Sequence, residues 1–223
     1  ATELRRAEDG TRAWVSEPGE YHHAFGGELG GLWRRVGRPP NRLVGVGFSA
    51  QGFVKSAPYR RLPAADDPRA EFIMKGVESD TIGDFGLRKH GAAGEELDRY
   101  DTALGSPTHA LVLARADDPG MQMVLSKEEL LMTMPPDSKV WREGAHADLV
   151  FFETPSGGAV FSTGSIAWPG SLSHNGFDND VARMCENVLR RFVDPTPFEM
   201  PPATDPEVPS PGARAGTGAR IAG

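Results

Sequence analysis

Two strand-like runs joined by a turn and followed by an amphipathic segment constrain the fold of this chain more than any other feature. The runs Asp148–Phe152 and Ala159–Ser162 are short and apolar, which is typical of β-strands. They flank Glu153–Gly158, whose proline and paired glycines favour a hairpin turn. The sequence therefore predicts a strand, a hairpin and a second strand, followed by a loop and a helix.

The predicted helix has recognisable signals at both ends. Asp178 or Asn179 is placed to cap its first turn. Arg190 and Arg191 lie in the last turn, where cations complement the helix dipole, and Pro195 follows the end. The apolar residues that recur on one face are Val181, Met184, Cys185, Val188, Leu189 and Phe192.

Further strand-like runs lie upstream, so the chain as a whole is predicted to be an α/β protein. Residues 1–193 form the predicted folded part. Residues 194–223 are rich in Pro, Gly and Ala and offer little apolar surface to offset chain entropy, which predicts a disordered tail. The upstream runs are Leu43–Phe48, Ala110–Ala114 and Gln122–Leu125.

Charge and composition argue against several classes of partner. A net charge of −7 and a pI near 5.4 disfavour nucleic acid and anionic membranes. No apolar run approaches the length that a bilayer requires, and the single cysteine suits a reducing compartment, so a cytoplasmic location is expected. That residue, Cys185, lies on the apolar helix face, which favours a core role over a reactive thiol. The polar N-terminus without an initiator Met predicts a piece of a longer protein.

The loop before the helix carries Trp168, His174 and Asn175. Open α/β sheets bind ligands beyond the carboxyl ends of their strands, so this loop is predicted to line a site. The alternative is that Asn175 and Asp178 cap turns while Trp168 packs the loop.

Two short motifs contain candidate metal ligands. Gly19–His23 includes Tyr21, and Gly91–Asp98 includes two adjacent carboxylates. Phenolate and carboxylate oxygens bind ferric iron well. The alternatives are a surface loop with a half-buried tyrosine and a solvated loop that leads into a helix. Glu153 ends an apolar strand, where a carboxylate is costly unless it is solvated, paired or functional.

Common catalytic signatures are absent. Gly47–Gln51 begins like a nucleophile elbow, but Gln51 stands where the second glycine is needed for the tight turn. The sequence also lacks a P-loop, a dinucleotide fingerprint and a His-Glu-x-x-His pair.

A set of segments in a fixed order resembles the large-subunit family of N,N-dimethylformamidases. The resemblance covers nearly everything except the tail. The segments are Gly10–Trp14, Glu17–His23, Gly30–Arg34, Leu43–Phe53, Gly83–Gly86, Val150–Trp168, Leu172–Asp180 and Glu186–Phe192.

The resemblance implies a fold and a reaction. The implied fold is a class I glutamine amidotransferase-like, flavodoxin-like open α/β sheet, of which this chain is the C-terminal part. The implied reaction is hydrolysis of N,N-dimethylformamide to formate and dimethylamine with a mononuclear Fe(III). A small helical subunit and a hetero-oligomeric complex are further expectations of the resemblance.

The resemblance also implies metal ligands by motif position. Tyr21 matches one iron tyrosine and Glu96 best matches the iron glutamate, with Glu95 as the adjacent alternative. The second tyrosine is expected upstream of Ala1, so the chain alone is not expected to hold a complete iron site.

Four residues are candidates for proton transfer and carbonyl activation. Glu153 is the predicted base that takes a proton from water. His174 and Asn175 are predicted to transfer protons or to donate hydrogen bonds to the oxyanion, and His90 is a further candidate. The alternatives are a non-catalytic binding or scaffold domain and an amidase for a different small amide.

Overall fold

The computed structural model describes residues 37–87, 90–118, 123–125 and 145–202. The α-helices within these ranges are α1 (Asn41–Val44), α2 (Glu71–Met74) and α3 (Asp180–Phe192). The strands within them are β1 (Gly47–Ala57), β2 (Tyr59–Arg61), β3 (Thr81–Ile82), β4 (Ala93–Arg99), β5 (Leu111–Ala116), β6 (Val124–Leu125), β7 (Ala147–Glu153) and β8 (Ala159–Ser162). Tyr21 lies outside the described residues.

The described strands form two sheets. One has three strands in the order β4-β1-β6, and the other has five in the order β3-β2-β5-β7-β8. The strand pairs among the described residues are antiparallel. Flavodoxin-like sheets are built mainly from parallel strands, so these pairs do not supply that arrangement. The amidotransferase-like fold stays a prediction.

The predicted hairpin is confirmed. Strands β7 and β8 pair with Phe152 opposite Val160 and Glu153 opposite Ala159. The turn closes where the amide of Thr154 donates to the carbonyl of Gly158 at 2.8 Å. Every residue of β7 is buried, because this strand lies between β5 and β8 and also contacts β4.

The predicted C-terminal helix is also confirmed. Asn179 is its N-cap, and the Asn179 Oδ1 accepts a 2.9 Å hydrogen bond from the amide of Ala182. Val181 and Met184 are fully buried on the predicted face, whereas Leu189 is 64% exposed. The helix therefore packs through the face that carries Val181, Met184 and Val188, whereas Leu189 faces solvent.

Two local expectations are wrong. Leu43 and Val44 belong to α1 instead of a strand, and Gly45, with φ of +80°, ends that helix. Gly91–Asp98 does not lead into a helix, because strand β4 runs from Ala93 to Arg99. Its pairing with β1 determines this conformation, and the acidic residues that favour a helix N-terminus do not override it.

The packed part of the chain continues past residue 193, where the sequence predicts disorder to begin. The Phe198 ring packs on the core, with centroid distances of 5.9 Å to Phe72, 5.9 Å to Phe151 and 5.6 Å to Phe192. The Arg191 guanidinium carbon lies 3.7 Å from the Phe198 ring centroid. One aromatic side chain thus anchors a proline-rich segment. Residues from 203 onward lie outside the described part.

One large core joins the two sheets with helices α2 and α3, and a smaller cluster contains Val46, Val150 and Phe152. The large core includes Leu97 of β4, Leu149 of β7, Ile73 of α2 and Met184 of α3, all fully buried. Helix α3 is tied to α2 by the Asn187 side-chain amide, which donates to the carbonyl of Ile73 at 3.1 Å. Of the helices in the described ranges, none is long and apolar enough to cross a membrane.

Candidate functional site

The three-stranded sheet has one apolar face and one half-exposed face with polar groups. Ala50 and Leu97 are paired across β1 and β4 and are fully buried. Gln51 and Glu96 form the next pair and are half-buried, as is Asp98 two residues further along β4. Because side chains alternate along a strand, these three groups lie on the same side of the sheet. We call this surface, defined by Gln51, Glu96 and Asp98, the carboxylate face.

A β-bulge lies at the edge of the carboxylate face. Glu95 has a φ of +62° and stands opposite Gly52, after which the register shifts before Ala57 pairs with Ala93. A left-handed conformation is uncommon for a residue with a side chain, and bulges with such residues occur often beside functional sites. The bulge separates the pairing of Glu96 from the irregular half of β1.

The carboxylate face is electrostatically strained. Burial raises the pKa of Glu96, and burial together with the charge of Glu96 raises the pKa of Asp98 to about 7. Within the described ranges, neither carboxyl group forms a salt bridge. Two desolvated carboxyl groups that repel each other are stabilised by a nearby cation. Their oxygen atoms are hard donors, so this pair fits a hard metal ion such as Fe(III).

The carboxylate face alone does not complete a metal site. The described residues contain no group of three or more His, Cys, Asp and Glu side chains that are placed to hold a metal ion. The predicted ligand Tyr21 lies outside them. A metal ion bound at this face would therefore need further ligands from outside the described residues.

Glu153 is buried at the end of β7 and is paired with a cation. Its Oε1 accepts a 2.9 Å hydrogen bond from the Nε of Arg69, and its Oε2 accepts from the Nη2 of the same side chain. The hydrogen bond to Glu153 raises the pKa of Arg69. Arg69 also donates to the carbonyl of His109 at 3.0 Å. Both oxygens of Glu153 are thus occupied, which fits the paired alternative, and its role as a base stays a prediction.

The loop before α3 is exposed at His174 and Asn175. The His174 ring stacks on Phe85 with a centroid distance of 4.0 Å. Asn175 has a φ of +49°, and its Nδ2 donates to the carbonyl of Asp178 at 3.1 Å. These contacts shape a turn, and their catalytic roles stay predictions.

Trp168 is a core residue among those that the structure describes. It is 3% exposed, its ring packs edge-on against Tyr59 at a centroid distance of 5.7 Å, and its Nε1 lies 3.2 Å from the Sγ of Cys185. Burial raises the pKa of the Cys185 thiol, which agrees with the core role predicted for it.

His90 is exposed and precedes β4, with a φ of +65°. In the part of the chain that the structure describes, no hydrogen bond or ion pair joins His90 to Glu96. Likewise, no described hydrogen bond, ion pair or ring contact joins His90 or Glu96 to Glu153, His174 or Asn175.

The structure reveals two features that were not predicted. One is the carboxylate face itself, since the pairing of Gln51 with Glu96 depends on the register of distant segments. The other is the fully buried Asp148, which accepts from Arg115 Nε at 2.7 Å and from the amide of Tyr100 at 2.9 Å. Burial favours a raised pKa for Asp148, but the neighbouring His146 and Arg115 side chains outweigh it and lower that pKa. In the sequence, the one indication that Asp148 is buried was its position at the start of an apolar run.

Comparison with known proteins identifies the family. The family model described as "N,N-dimethylformamidase beta subunit-like, C-terminal" matches residues 1–181, so the chain belongs to this family. This confirms the resemblance seen in the sequence.

Two named relatives are similar over most of the chain. The N,N-dimethylformamidase beta subunit of Paracoccus aminophilus is 41% identical over 202 residues, which is 86% of this chain and 25% of the relative. The protein of the same name from an Alcaligenes species is 39% identical over 202 residues, with the same coverage of 86% and 25%. The chain therefore spans about a quarter of the length of these relatives.

Proposed function

We propose that this chain is part of an amidohydrolase that cleaves N,N-dimethylformamide or a similar small amide into formate and dimethylamine. The names of the two relatives support the reaction class. The observation that carries the proposal is the carboxylate face, where Glu96 and Asp98 are desolvated without a cationic partner among the described residues. Two such carboxyl groups are unfavourable in a purely structural role and are suited to a cation.

The proposed cofactor is a single Fe(III) held by Glu96 together with Tyr21 and a further tyrosine of the longer protein. The fit rests on the hard oxygen donors and on the raised pKa of Glu96, which a bound cation would lower. When bound, such a metal polarises a carbonyl group and lowers the pKa of water.

The chain's own residues differ in how well they suit proton transfer. His90 and His174 are exposed, so water reaches both imidazole rings. Glu153 has to leave Arg69 before it can accept a proton. We therefore propose that a histidine accepts the proton from water. His90 is preferred because it lies six residues before Glu96 in the sequence. Asn175 remains a proposed hydrogen-bond donor to the oxyanion.

The proposed complex contains a second, small helical subunit and is hetero-oligomeric in the cytoplasm. The relatives are named as beta subunits, which supports a multi-subunit assembly. The acidic net charge of −7 supports a small-molecule substrate over nucleic acid.

The test is the metal content and visible spectrum of the complete large subunit, coexpressed with the small subunit. About one iron per large subunit, a tyrosinate-to-iron absorption band and formate release are expected. Glu96→Gln is expected to lose iron, whereas the matched variant Glu95→Gln is expected to keep it. If Glu96→Gln retained iron and Glu95→Gln lost it, Glu95 would be the metal ligand instead of Glu96. Complete protein that neither takes up iron nor releases formate would contradict the proposal and favour a scaffold role.

A further inference from the structure

Gln51 is the only amide side chain on the carboxylate face as the structure describes it. Its Cα pairs with that of Glu96 across β1 and β4. Residues directly opposite each other in antiparallel strands have Cβ atoms about 5 Å apart and point to the same side. The side chains of Gln51 and Glu96 therefore start from neighbouring positions on the same side of the sheet.

Within the described residues, the side-chain amide of Gln51 forms no hydrogen bond. It is half-buried at the centre of the three-stranded sheet, where Val124 of β6 is its second cross-strand neighbour. Neutral polar side chains that are partly desolvated gain from a hydrogen-bonding partner. Glutamine has two N–H donors and an acceptor oxygen, so the position suits a ligand with polar atoms.

The chemistry of a dialkylated amide determines which atom of Gln51 can form a hydrogen bond with it. A tertiary formamide has no N–H group, so the substrate can only accept hydrogen bonds, through its carbonyl oxygen. Ionised carboxylates accept hydrogen bonds and cannot donate them. On the carboxylate face, the Nε2 of Gln51 is therefore the side-chain donor that is present at every pH, whereas the Asp98 carboxyl group, with its pKa of about 7, donates only while it is protonated.

We propose that Gln51 binds the carbonyl oxygen of the amide substrate by donating a hydrogen bond from its Nε2, beside Glu96. This inference rests on the proposed function, because it takes the substrate from there. As negative charge develops on the carbonyl oxygen during hydrolysis, the same hydrogen bond strengthens. Gln51 thus contributes to binding and to stabilisation of the oxyanion.

The experiment compares two Gln51 variants in the complete large subunit with its small partner. Gln51→Met keeps the length of the side chain and removes the donor, and Gln51→Glu keeps the shape and removes the donor. Lys55→Met is the control, because Lys55 lies on the same strand and pairs only on the surface, with Asp118 at 2.6 Å. The readouts are iron content, kcat/KM for formate release, and the change in the visible band on titration with N,N-dimethylformamide.

The expected result is unchanged iron content in Gln51→Met with kcat/KM lowered about tenfold or more. The concentration of N,N-dimethylformamide that half-saturates the spectral change is expected to rise about three- to tenfold, as for the loss of one neutral hydrogen bond. Gln51→Glu is expected to reduce kcat/KM as well, and it provides the test if Gln51→Met does not fold. Lys55→Met is expected to match the wild type.

Two results would overturn the assignment while leaving the proposed function intact. One is wild-type kinetics and half-saturation in an iron-loaded Gln51 variant. The other is loss of iron in both Gln51 variants while the wild-type enzyme holds iron and releases formate, since that result would show that Gln51 supports the metal site. If the wild type holds no iron and releases no formate, the proposed function fails, and the assignment of Gln51 fails with it.

Discussion

The pair formed by Arg69 and Glu153 allows a structural role to be separated from a catalytic one. The Glu153 side chain is 4% exposed and that of Arg69 is 25% exposed, so the ion pair is mostly shielded from water. Arg69 also links the 3-10 helix Pro68–Ala70 to the carbonyl of His109. Loss of Arg69 leaves the buried Glu153 carboxylate without compensation.

The magnitudes follow from this geometry. Breaking a buried ion pair by removing one partner costs about 3 to 5 kcal/mol, and the partial exposure of Arg69 reduces this to about 2 to 3 kcal/mol for Arg69→Met. Replacing both partners by apolar residues of similar size is often neutral. The double variant Arg69→Met/Glu153→Leu is therefore expected to lie within about 1 kcal/mol of the wild type.

Hydrogen exchange of the β7 amides in the complete subunit measures the local free energy of unfolding. Formate release per bound iron is measured on the same samples. For a structural pair, Arg69→Met loses protection in β7 while the double variant regains it and keeps turnover within about threefold. A double variant that is as stable as the wild type but at least about 100-fold slower would show that Glu153 acts as the base. Unchanged protection in Arg69→Met would refute the energetic reasoning.

Three further predictions concern single sites. Phe198→Ala is expected to lower the free energy of unfolding by about 2 to 3 kcal/mol, because it removes a ring from an aromatic cluster. The control Met200→Ala changes a residue that is 41% exposed and is expected to alter the free energy of unfolding by less than about 0.5 kcal/mol. Denaturant titration measures both. For metal-free protein, the pKa of Asp98 is about 7 when folded and 3.8 in the reference state, so its stabilising contribution is complete below pH 3.8 and is lost as the pH rises through 7. Asp98→Asn is expected to remove this pH dependence of the free energy of unfolding, which amounts to at most about 4 kcal/mol. Melting curves from pH 4 to 8 measure it, and an unchanged pH dependence in the variant would contradict the prediction. Alkylation of Cys185 is expected to be slower than that of a free thiol at pH 8, because burial raises its pKa, and a rate equal to that of glutathione would contradict this.

Local sequence patterns predicted the elements whose stabilising contacts are close in the chain. The hairpin between β7 and β8 depends on the turn residues Glu153–Gly158, and helix α3 depends on a cap and a repeating apolar face. Both are read from neighbouring residues, so both were predicted with nearly correct bounds. Leu43–Val44 was misassigned because a short apolar run has no periodicity that distinguishes a strand from one helical turn.

The candidate site was predicted only in part for a different reason. The position of Glu96 came from the family resemblance, and nothing local identified Asp98 or Gln51 as its neighbours. Gln51 lies near Glu96 because of the antiparallel register between β1 and β4, which joins residues more than forty positions apart. Asp98 lies near Glu96 because β4 is a strand, in which alternate side chains share one side. Trp168 and Glu153 show the same limit, since nothing in the sequence indicated that Trp168 packs against Tyr59 or that Glu153 pairs with Arg69.

The sequence by itself determined the hairpin, the C-terminal helix, the acidic character and the family of this protein, because each depends on residue identity or on short-range order. The tertiary structure alone decided that β4 is a strand, that Phe198 packs on the core, and that Gln51, Glu96 and Asp98 share one face. These features depend on which distant segments pair and on how much water they exclude. Pairing and desolvation are properties of the folded chain, and they set the pKa values that distinguish a candidate site from an ordinary acidic surface.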